Sequence, residues 1–430
     1  MREKQVAVAA QSGPVVQSVV RVLKFDVAIA GGSFAGLAVA RGLAQALGPD
    51  IKIGVIERAD LATTSAGSDS RAFAIWAGTK KILEGLGVWD AVSSDAQVVT
   101  SIEISDSNID DAFRPSRVTY DAHTKDGSPA AYIVPATSLQ AALYKSVAND
   151  SSISWIAPAD VDGMLLGEYS SELTLRDGRV ISAQLTIAAD GRNSKLRDDA
   201  GIKTIGWAYP QTGIVARVKF EEPHGGVAIQ HFLPGGPFAI LPLPNNRACI
   251  TWSADKDEAA RMTALDDDDF LAELDRRIGG RFGAIALDGP RQSWPLDVRI
   301  ARRLIAPRFA LVGDAAHGVH PIAGQGVNLA LRDAAAMIEV LADAGRLGID
   351  FGNGTHLERY QRWRRFDSTM SATLYDSLNR AFAVDNMVLR AGRGAALGVL
   401  DRLPSLKDFI IAEAAGVTGD LPKLARGCPV

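Results

Sequence analysis

The chain has 430 residues, 47% of them hydrophobic and 22% charged, which is typical of a packed globular protein with one large or two smaller domains. Its formal net charge of -4 disfavours a nucleic-acid-binding surface, and no run of about eighteen apolar residues predicts a membrane-spanning helix. The two cysteines, Cys249 and Cys428, form no metal or redox spacing, and this fits a reducing, cytoplasmic location.

The chain opens with residues 1–24, which lack the long apolar core and cleavage site of a signal peptide, and we expect a tail. An apolar run from Val27 to Ala30 then predicts a strand, and the glycine-rich turn from Gly31 to Gly36 leads into apolar residues at helical spacing. A second apolar run, Ile53 to Ile56, ends at Glu57. This order predicts a dinucleotide-binding unit, with a plain structural βαβ unit as the alternative.

Residues of this turn have separate predicted roles. Gly31 permits the sharp bend, and Gly36 allows the helix and the strand to approach each other. The start of the helix presents free amides and a positive dipole end to a pyrophosphate, and Glu57 stands where a carboxylate accepts hydrogen bonds from ribose hydroxyls. Ser33 occupies the middle glycine position, where its Cβ would crowd the diphosphate, and Gly32 beside it relieves part of this crowding.

The next segment departs from the βαβ continuation that a nicotinamide dehydrogenase would usually have. A polar loop leads to Arg71 and then to a predicted helix that carries Ile75, Leu83 and Leu86 and stops at Gly87. Two interpretations of Arg71 stay open, namely contact with a phosphate or a cofactor ring edge, and a solvated arginine on the loop.

Two later strand ends also carry glycine and aspartate. One apolar run ends at Asp190-Gly191 and leads into a predicted helix, although an Asp-Gly pair alone is most often a hairpin turn. Another ends at Gly313-Asp314, and a helix is predicted to start near Gly326. Three such strand ends in one chain favour a single cofactor site built from distant segments.

The third of these loops favours a flavin. Asp314 would accept hydrogen bonds from ribityl hydroxyls, and the helix near Gly326 would direct its N-terminal dipole at the pyrimidine side of an isoalloxazine, where it favours the negative charge of the reduced ring. Gly324 and Gly326 let the backbone lie close to the ring, and Pro321 stiffens the approach. His317 and His320 also lie here, but no third ligand accompanies them, and we expect no metal site.

The segment "HPIAGQGVNLALRD", His320 to Asp333, closely resembles the signature of the ubiquinone-biosynthesis hydroxylases, the 2-polyprenyl-6-methoxyphenol hydroxylase-like enzymes. With the glycine turns, it makes the chain similar to the group A FAD-dependent aromatic monooxygenases from about Phe25 to about Gly416. Ala330 replaces a signature glycine, and "VPATSLQAAL" lacks the Asn and Arg expected before Leu139.

The resemblance implies an α/β fold with an α+β insert, in which a Rossmann-like FAD-binding domain adjoins a β-sheet substrate domain and C-terminal helices, as in 4-hydroxybenzoate hydroxylase. We expect the FAD-binding domain at 25–100, 130–203 and 296–345, the β-rich substrate domain at 101–129 and 204–295, and the helical region at 346–430. The candidate cofactor contacts are Gly31, Gly32, Ser33, Ala35, Gly36, Glu57, Arg58, Arg71, Gln140, Asp190, Gly313, Asp314, Pro321, Gly324, Gln325, Gly326 and Asn328.

The implied reaction is hydroxylation of the aromatic ring of a polyprenylated phenol in ubiquinone biosynthesis, through a flavin C4a-hydroperoxide, with FAD as cofactor, NAD(P)H as co-substrate and O₂. No residue is identified as the catalytic base. Implied partners are the prenylated aromatic substrate, the surface of the inner membrane as a peripheral contact, and a biosynthetic complex. For the basic C-terminal helix, core packing with a solvated basic face is the alternative to membrane contact; its residues are Arg390, Arg393 and Arg402.

Three further functions stay open. They are hydroxylation of small soluble aromatics, reduction of isoprenoid double bonds by an enzyme of the same fold, and a non-catalytic role as a flavoprotein subunit.

Overall fold

The computed structural model describes residues 21–60, 69–107, 109, 118–321, 324–383 and 402–430. Most of the expected tail, and Arg390 and Arg393, lie outside these ranges. The helices are α1 (Phe34–Leu47), α2 (Ala77–Gly85), α3 (Trp89–Val92), α4 (Ala136–Ala148), α5 (Lys195–Asp199), α6 (Lys256–Ala264), α7 (Asp267–Ile278), α8 (Gly326–Arg346), α9 (Gly354–Ala383) and α10 (Pro404–Ala414).

The strands form three sheets. They are β1 (Val22–Ala30), β2 (Ile53–Ile56), β3 (Ala72–Trp76), β4 (Gln97–Val98), β5 (Ser101–Asp106), β6 (Val118–Asp121), β7 (Ala131–Pro135), β8 (Ile153–Ile156), β9 (Val161–Leu166), β10 (Ser171–Leu175), β11 (Val180–Ala188), β12 (Thr204–Phe220), β13 (Val227–Leu233), β14 (Gly236–Leu243), β15 (Arg247–Asp255), β16 (Ile285–Leu287), β17 (Gln292–Ala301), β18 (Ile305–Ala306), β19 (Phe309–Leu311) and β20 (His317–Gly318).

The first sheet is parallel at its centre and has the strand order β18-β19-β11-β1-β2-β8. Strands β19, β11, β1, β2 and β8 run in one direction, so their carboxyl ends lie at one edge. The last four residues of β1 and all of β2 are buried, as is usual for strands covered on both faces. Helices α1 and α8 pack closely, since a Cβ on Gly42 would lie 2.3 Å from Cδ1 of Ile338.

The second sheet is mostly antiparallel and has the order β20-β17-β12-β15-β14-β13-β5-β6, with β16 beside β12. Its apolar face forms a separate core with helices α6 and α7, in which Phe238, Trp252 and Phe270 are buried. The short apolar runs predicted as strands after residue 204 lie in this sheet. A third sheet, β3-β7-β4, lies apart from both in its hydrogen bonding.

Three boundaries differ from the sequence-based expectation. Strand β1 begins at Val22, inside the expected tail, because its first residues pair with β11 from Val180 onward. Ile75 is expected on a helix but lies on β3, where it pairs with Tyr132 of β7, and the helix begins only at Ala77. Strand β17 runs past residue 295 to Ala301, because it pairs with β12 along its length.

Helices α9 and α10 lie within the C-terminal region for which the sequence predicts helices. None of the helices in the described part of the chain combines the length and hydrophobicity that a bilayer crossing requires.

Candidate functional site

Three turns meet at the carboxyl edge of the parallel sheet. Strands β1, β11 and β19 are neighbours, and each is followed by one of the glycine-bearing turns. Backbone hydrogen bonds continue past the strand ends, from Ala189 N to Ala30 O at 2.7 Å and from Val312 N to Ala188 O at 3.0 Å. The sheet therefore brings together segments that are far apart in sequence, as a single site requires.

The first turn requires glycine at two positions. Gly31 has a φ of +111°, and a Cβ there would lie 2.2 Å from the carbonyl oxygen of Ala189. A Cβ on Gly36 would lie 2.0 Å from the carbonyl oxygen of Gly31. Ser33, the residue immediately before α1, is exposed and makes no capping hydrogen bond with its side chain, so this side chain leaves the first amides of the helix uncapped.

Glu57 and Gln140 hold the first turn from two sides. The amide of Gly32 donates to Oε2 of Glu57 at 2.6 Å, and Nε2 of Gln140 donates to the carbonyl oxygen of Gly32 at 2.8 Å. Gln140, the residue taken from the segment that departs from the family pattern, thus reaches the turn. Arg58 is exposed beside Glu57, and Ala35 is buried in α1.

The second turn is not the bend of a hairpin. Asp190 accepts a hydrogen bond from the amide of Leu196 at 3.3 Å, and α5 begins directly afterwards with Ser194 as its N-cap. The buried guanidinium of Arg197 donates to the carbonyl oxygen of Ala315 at 3.2 Å. Arg197 therefore ties the second turn to the third.

The third turn exposes a carboxylate. Gly313 has a φ of +61°, and a Cβ there would lie 3.2 Å from Cβ of Ala35, so this turn contacts the start of α1. The side chain of Asp314 is 48% exposed, with Nε of Arg192 at 4.0 Å. Arg71, for which two interpretations are open, is ion-paired with Asp69 at 2.6 Å and is 43% exposed.

The loop that precedes α8 is held by its own side chains. Gly324 has a φ of +61° and donates to the carbonyl oxygen of Pro321 at 3.1 Å. Asn328 is buried and bridges the loop to β3, donating to Ala74 O at 2.8 Å, while buried Gln325 donates to Ala414 O at 3.3 Å. These two side chains shape the loop through protein contacts.

The edge has room for a bound group. In the part of the chain that the structure describes, a Cβ on Gly191 or on Gly326 would meet no atom within 4 Å. Exposed Ser33 and half-exposed Asp314 border the same edge. Open space, free helix amides and a carboxylate fit a dinucleotide with a hydroxylated chain.

A buried charge cluster lies directly behind the third turn and was missed by sequence reasoning. Oδ2 of Asp333 accepts from the amide of Gly313 at 3.0 Å and from Nε2 of His317 at 2.5 Å, and Oδ1 accepts from Nε of Arg364 at 2.7 Å. The side chains of His317, Asp333 and Arg364 are 1%, 0% and 2% exposed. An aspartate on the apolar face of the α8 pattern was the signal that could have revealed the cluster.

The charges in this cluster stabilise one another. Burial alone would raise the pKa of Asp333, but His317 and Arg364 outweigh it and lower the pKa to about 2. Burial alone would lower the pKa of His317, but the charge and hydrogen bond of Asp333 raise it above its ordinary value. The cluster is therefore held as a charged group inside the protein.

The other histidine of the loop has different neighbours. His320 packs edge-on against the ring of Tyr209 at 5.2 Å, and the hydroxyl of Tyr209 donates to Asp376 at 2.7 Å. Burial lowers the pKa of His320 to about 4, so its ring is neutral at neutral pH. Within the described residues no group of three or more potential metal ligands occurs.

Comparison with known sequences gives three findings. A family model described as an FAD binding domain matches residues 24–365. The chain is 36% identical over 423 residues to ubiquinone hydroxylase UbiL of Rhodospirillum rubrum, covering 97% of this chain and 96% of that protein. It is 33% identical over 395 residues to the 3-demethoxyubiquinol 3-hydroxylase of Escherichia coli, covering 91% of this chain and 98% of that protein.

A solved structure shares the fold. The p-nitrophenol 4-monooxygenase PnpA of Pseudomonas putida matches with a TM-score of 0.77 at 17% identity, over 92% of this chain and 99% of that one.

Proposed function

The chain belongs to the ubiquinone-biosynthesis hydroxylase family of FAD-dependent monooxygenases, and from this premise we propose that it hydroxylates the aromatic ring of a polyprenylated phenol. It is an enzyme that uses FAD as cofactor and NAD(P)H as co-substrate. The observation that carries the proposal is the meeting of three glycine-bearing turns at one edge of the parallel sheet.

Individual residues take the following roles in this proposal. The uncapped amides at the start of α1 would bind the pyrophosphate, and the carboxylate of Glu57, which accepts from Gly32, would also accept from the ribose. Asp314 would accept from the ribityl chain, and the backbone from Gly324 to Gly326 would approach the flavin ring. Bound FAD supplies the activation of O₂, and the protein orients the substrate and excludes water.

The candidate cofactor contacts then divide into two groups. Turn residues and exposed side chains touch FAD directly, while Gln140, Gln325 and Asn328 hold the backbone that does so. The proposed FAD-binding domain comprises 25–100, 130–203 and 296–345, and the second sheet forms most of the substrate domain.

No residue is assigned as the base for the substrate phenol, and His320 is a weak proton acceptor because burial lowers its pKa to about 4. It precedes the proline of the flavin loop, its ring is neutral, and it lies against Tyr209, which is bonded to Asp376.

Peripheral contact with the inner membrane from the cytoplasmic side is the second part of the proposal. Helix α9 exposes Phe366 and Met370, which are 74% and 55% exposed and lie four residues apart on the same outer face as Arg362. Apolar and basic side chains on one helix face suit an anionic bilayer surface. Recovery of the purified protein in the supernatant after sedimentation with anionic vesicles would argue against this contact.

Deletion of the gene, followed by mass spectrometry of the accumulating quinone precursors, tests the substrate. We expect a prenylated phenol one hydroxyl short, restored to product by the wild-type gene but not by Asp314→Asn. If an Asp314→Asn protein that lacks FAD still restored formation of the product, the protein would act as a non-catalytic subunit. Accumulation of no such precursor would remove the ubiquinone assignment and leave the FAD assignment intact.

Oxygen uptake by the purified enzyme distinguishes hydroxylation from the reduction of isoprenoid double bonds. A hydroxylase consumes O₂ in a substrate-dependent manner, whereas an isoprenoid reductase does not. Equal stimulation by a short-chain hydroxybenzoate and by a prenylated phenol would favour the small soluble aromatics as substrates.

A further inference from the structure

The third turn is anchored by a residue that does not face the proposed FAD site. Asp333 lies about two turns into α8 and is fully buried, yet its Oδ2 accepts the amide hydrogen of Gly313 at 3.0 Å. The residue next to Gly313 is Asp314, the exposed carboxylate of the same turn. A displacement of Asp333 is therefore transmitted to Asp314 through one peptide unit.

Both carboxylate oxygens of Asp333 are held by cations from other segments. His317 follows the turn and binds Oδ2, and Arg364 of α9 binds Oδ1. Arg364 also donates to Asp367 at 2.6 Å, and Tyr360, one turn earlier on α9, donates to the carbonyl oxygen of Leu311 at 2.8 Å. Helix α9 thus holds the end of β19 and the anchor of the turn together.

We propose that His317, Asp333 and Arg364 form a buried positioning cluster that holds the Gly313-Asp314 turn in its FAD-binding geometry. The cluster does not touch the cofactor, and its members act only through the turn. This inference rests on the proposed FAD site. It assigns to His317 and Arg364 an effect on FAD affinity, in addition to any effect on the stability of the fold.

The arrangement is more specific than an ordinary buried ion pair. Asp333 Oδ2 is shared between a backbone amide and an imidazole, so loss of either the charge or an oxygen leaves a buried donor without an acceptor. Among the described residues, Nδ1 of His317 has no hydrogen-bond partner, so the ring is held through its Nε2 contact with Asp333. The pair adds to the backbone and Arg197 contacts that hold the segment after the turn, and it is the contact that joins this segment to Asp333.

The charge of His317 is a variable part of this restraint. The ring faces Asp333 of α8, Arg364 of α9 and Asp314 of the turn itself. The two carboxylates favour the imidazolium and Arg364 opposes it. When the imidazolium loses its proton, the ion pair becomes a hydrogen bond from a neutral ring to the carboxylate, and the turn is held less firmly.

The test compares two buried carboxylates on the same helix. Asp333→Asn replaces one acceptor oxygen by a donor, so at least one of three donors loses its partner. Glu339→Gln is the matched control, because Glu339 is also buried on α8 and accepts from the amide of Lys423 at 2.8 Å, away from the turn. The dissociation constant of FAD from the apoprotein is measured by flavin fluorescence, and the unfolding midpoint of each apoprotein is measured beside it.

We expect Asp333→Asn to raise the FAD dissociation constant by about tenfold to a hundredfold relative to Glu339→Gln, since a charge-assisted hydrogen bond is lost. An equal dissociation constant in the two variants would overturn the proposal, even if both unfold at lower temperature. His317→Gln keeps a donor towards Asp333 without a charge, so it serves where Asp333→Asn does not fold.

A pH series supplies a readout that a purely structural role would not change. Wild-type FAD affinity is expected to weaken as pH rises from about 6 to about 9, and the affinity of His317→Gln to stay flat. Parallel profiles for the two proteins would overturn the role of His317. Failure of the wild-type protein to bind FAD at any pH would instead remove the proposed site itself.

Discussion

Two buried arginines, one beside each large sheet, both pair with carboxylates but differ in what those carboxylates hold. Arg364 lies behind the third turn of the parallel sheet and binds Asp333, which in turn binds the turn backbone. Arg277 lies on α7 beside the antiparallel sheet, where it binds Glu258 at 2.7 Å and covers the ring of Trp252 at 4.0 Å. Burial of a charged residue therefore does not by itself identify a functional site. The difference is that the partner of Arg364 also binds the backbone of a turn at the proposed cofactor site, whereas the partners of Arg277 lie on helices beside the antiparallel sheet.

The strongest test of this contrast is to block the backbone at the cofactor edge. We expect Gly31→Ala to abolish FAD binding and to destabilise the protein by about 4 kcal/mol, because the Cβ meets a carbonyl oxygen and the residue has a positive φ. The measurement is the FAD content of the purified protein together with its denaturant-unfolding curve.

Gly163→Ala is the control for this prediction. Gly163 lies on β9 of the same sheet, its φ is not positive, and a Cβ there meets nothing within 4 Å. Retention of FAD by Gly31→Ala would contradict the interpretation of the first turn as a close-approach site.

The second test removes the buried cation from the antiparallel side. Arg277→Met is expected to lower the free energy of unfolding by about 2 kcal/mol, because it removes the buried one of the two arginines that pair with Glu258 and Glu273 and also removes the contact with Trp252. FAD affinity should stay at the wild-type value, since these partners belong to the antiparallel sheet and its helices. A large rise in the FAD dissociation constant would break the comparison between the two regions.

The smallest expected effect is a dependence of stability on pH. The pKa of Asp333 is lowered to about 2 in the folded protein. Its contribution to the free energy of unfolding is therefore present above about pH 4 and is lost as pH falls towards 2. The pKa of His317 is raised, so its contribution is present below about pH 6.5 and is lost as pH rises through the folded-state pKa.

The cluster is therefore most stabilising between about pH 4 and pH 6.5. His317→Gln should remove about 1 kcal/mol of the alkaline decline in unfolding free energy. If the free energy of unfolding fell equally with rising pH in wild type and His317→Gln, the ion pair between protonated His317 and Asp333 would be contradicted.

Much of the cofactor edge was predictable because it depends on local backbone rules. Gly31 and Gly36 are required by the turn itself, and β2 and the start of α8 lie close to the predicted residues. The position of Asp190 after a strand and before a helix was also predictable, since apolar periodicity marks both elements. Their meeting follows from parallel strands sharing one carboxyl edge.

The remainder depends on tertiary contacts that leave little trace in sequence. Ile75 is expected on a helix because the spacing of its apolar neighbours fits both a helix and a strand. Only its pairing with β7 makes it a strand residue. The bond from Asp333 to Gly313 and the reach of Arg364 from α9 depend on helix packing, which periodicity does not specify. Gln140 was found by resemblance, and its contact with Gly32 was not derivable from spacing.

The order of strands in the parallel sheet has a consequence for biogenesis. Its centre joins residues 22–30 to 180–188 and 309–311, and the third segment is in turn held by α9. A nascent chain must therefore be synthesised almost to α9 before the flavin has a complete place to bind. Until then the edge of β11 that pairs with β19 stays without its partner strand, and an unpaired strand edge in an incomplete chain is prone to wrong pairing.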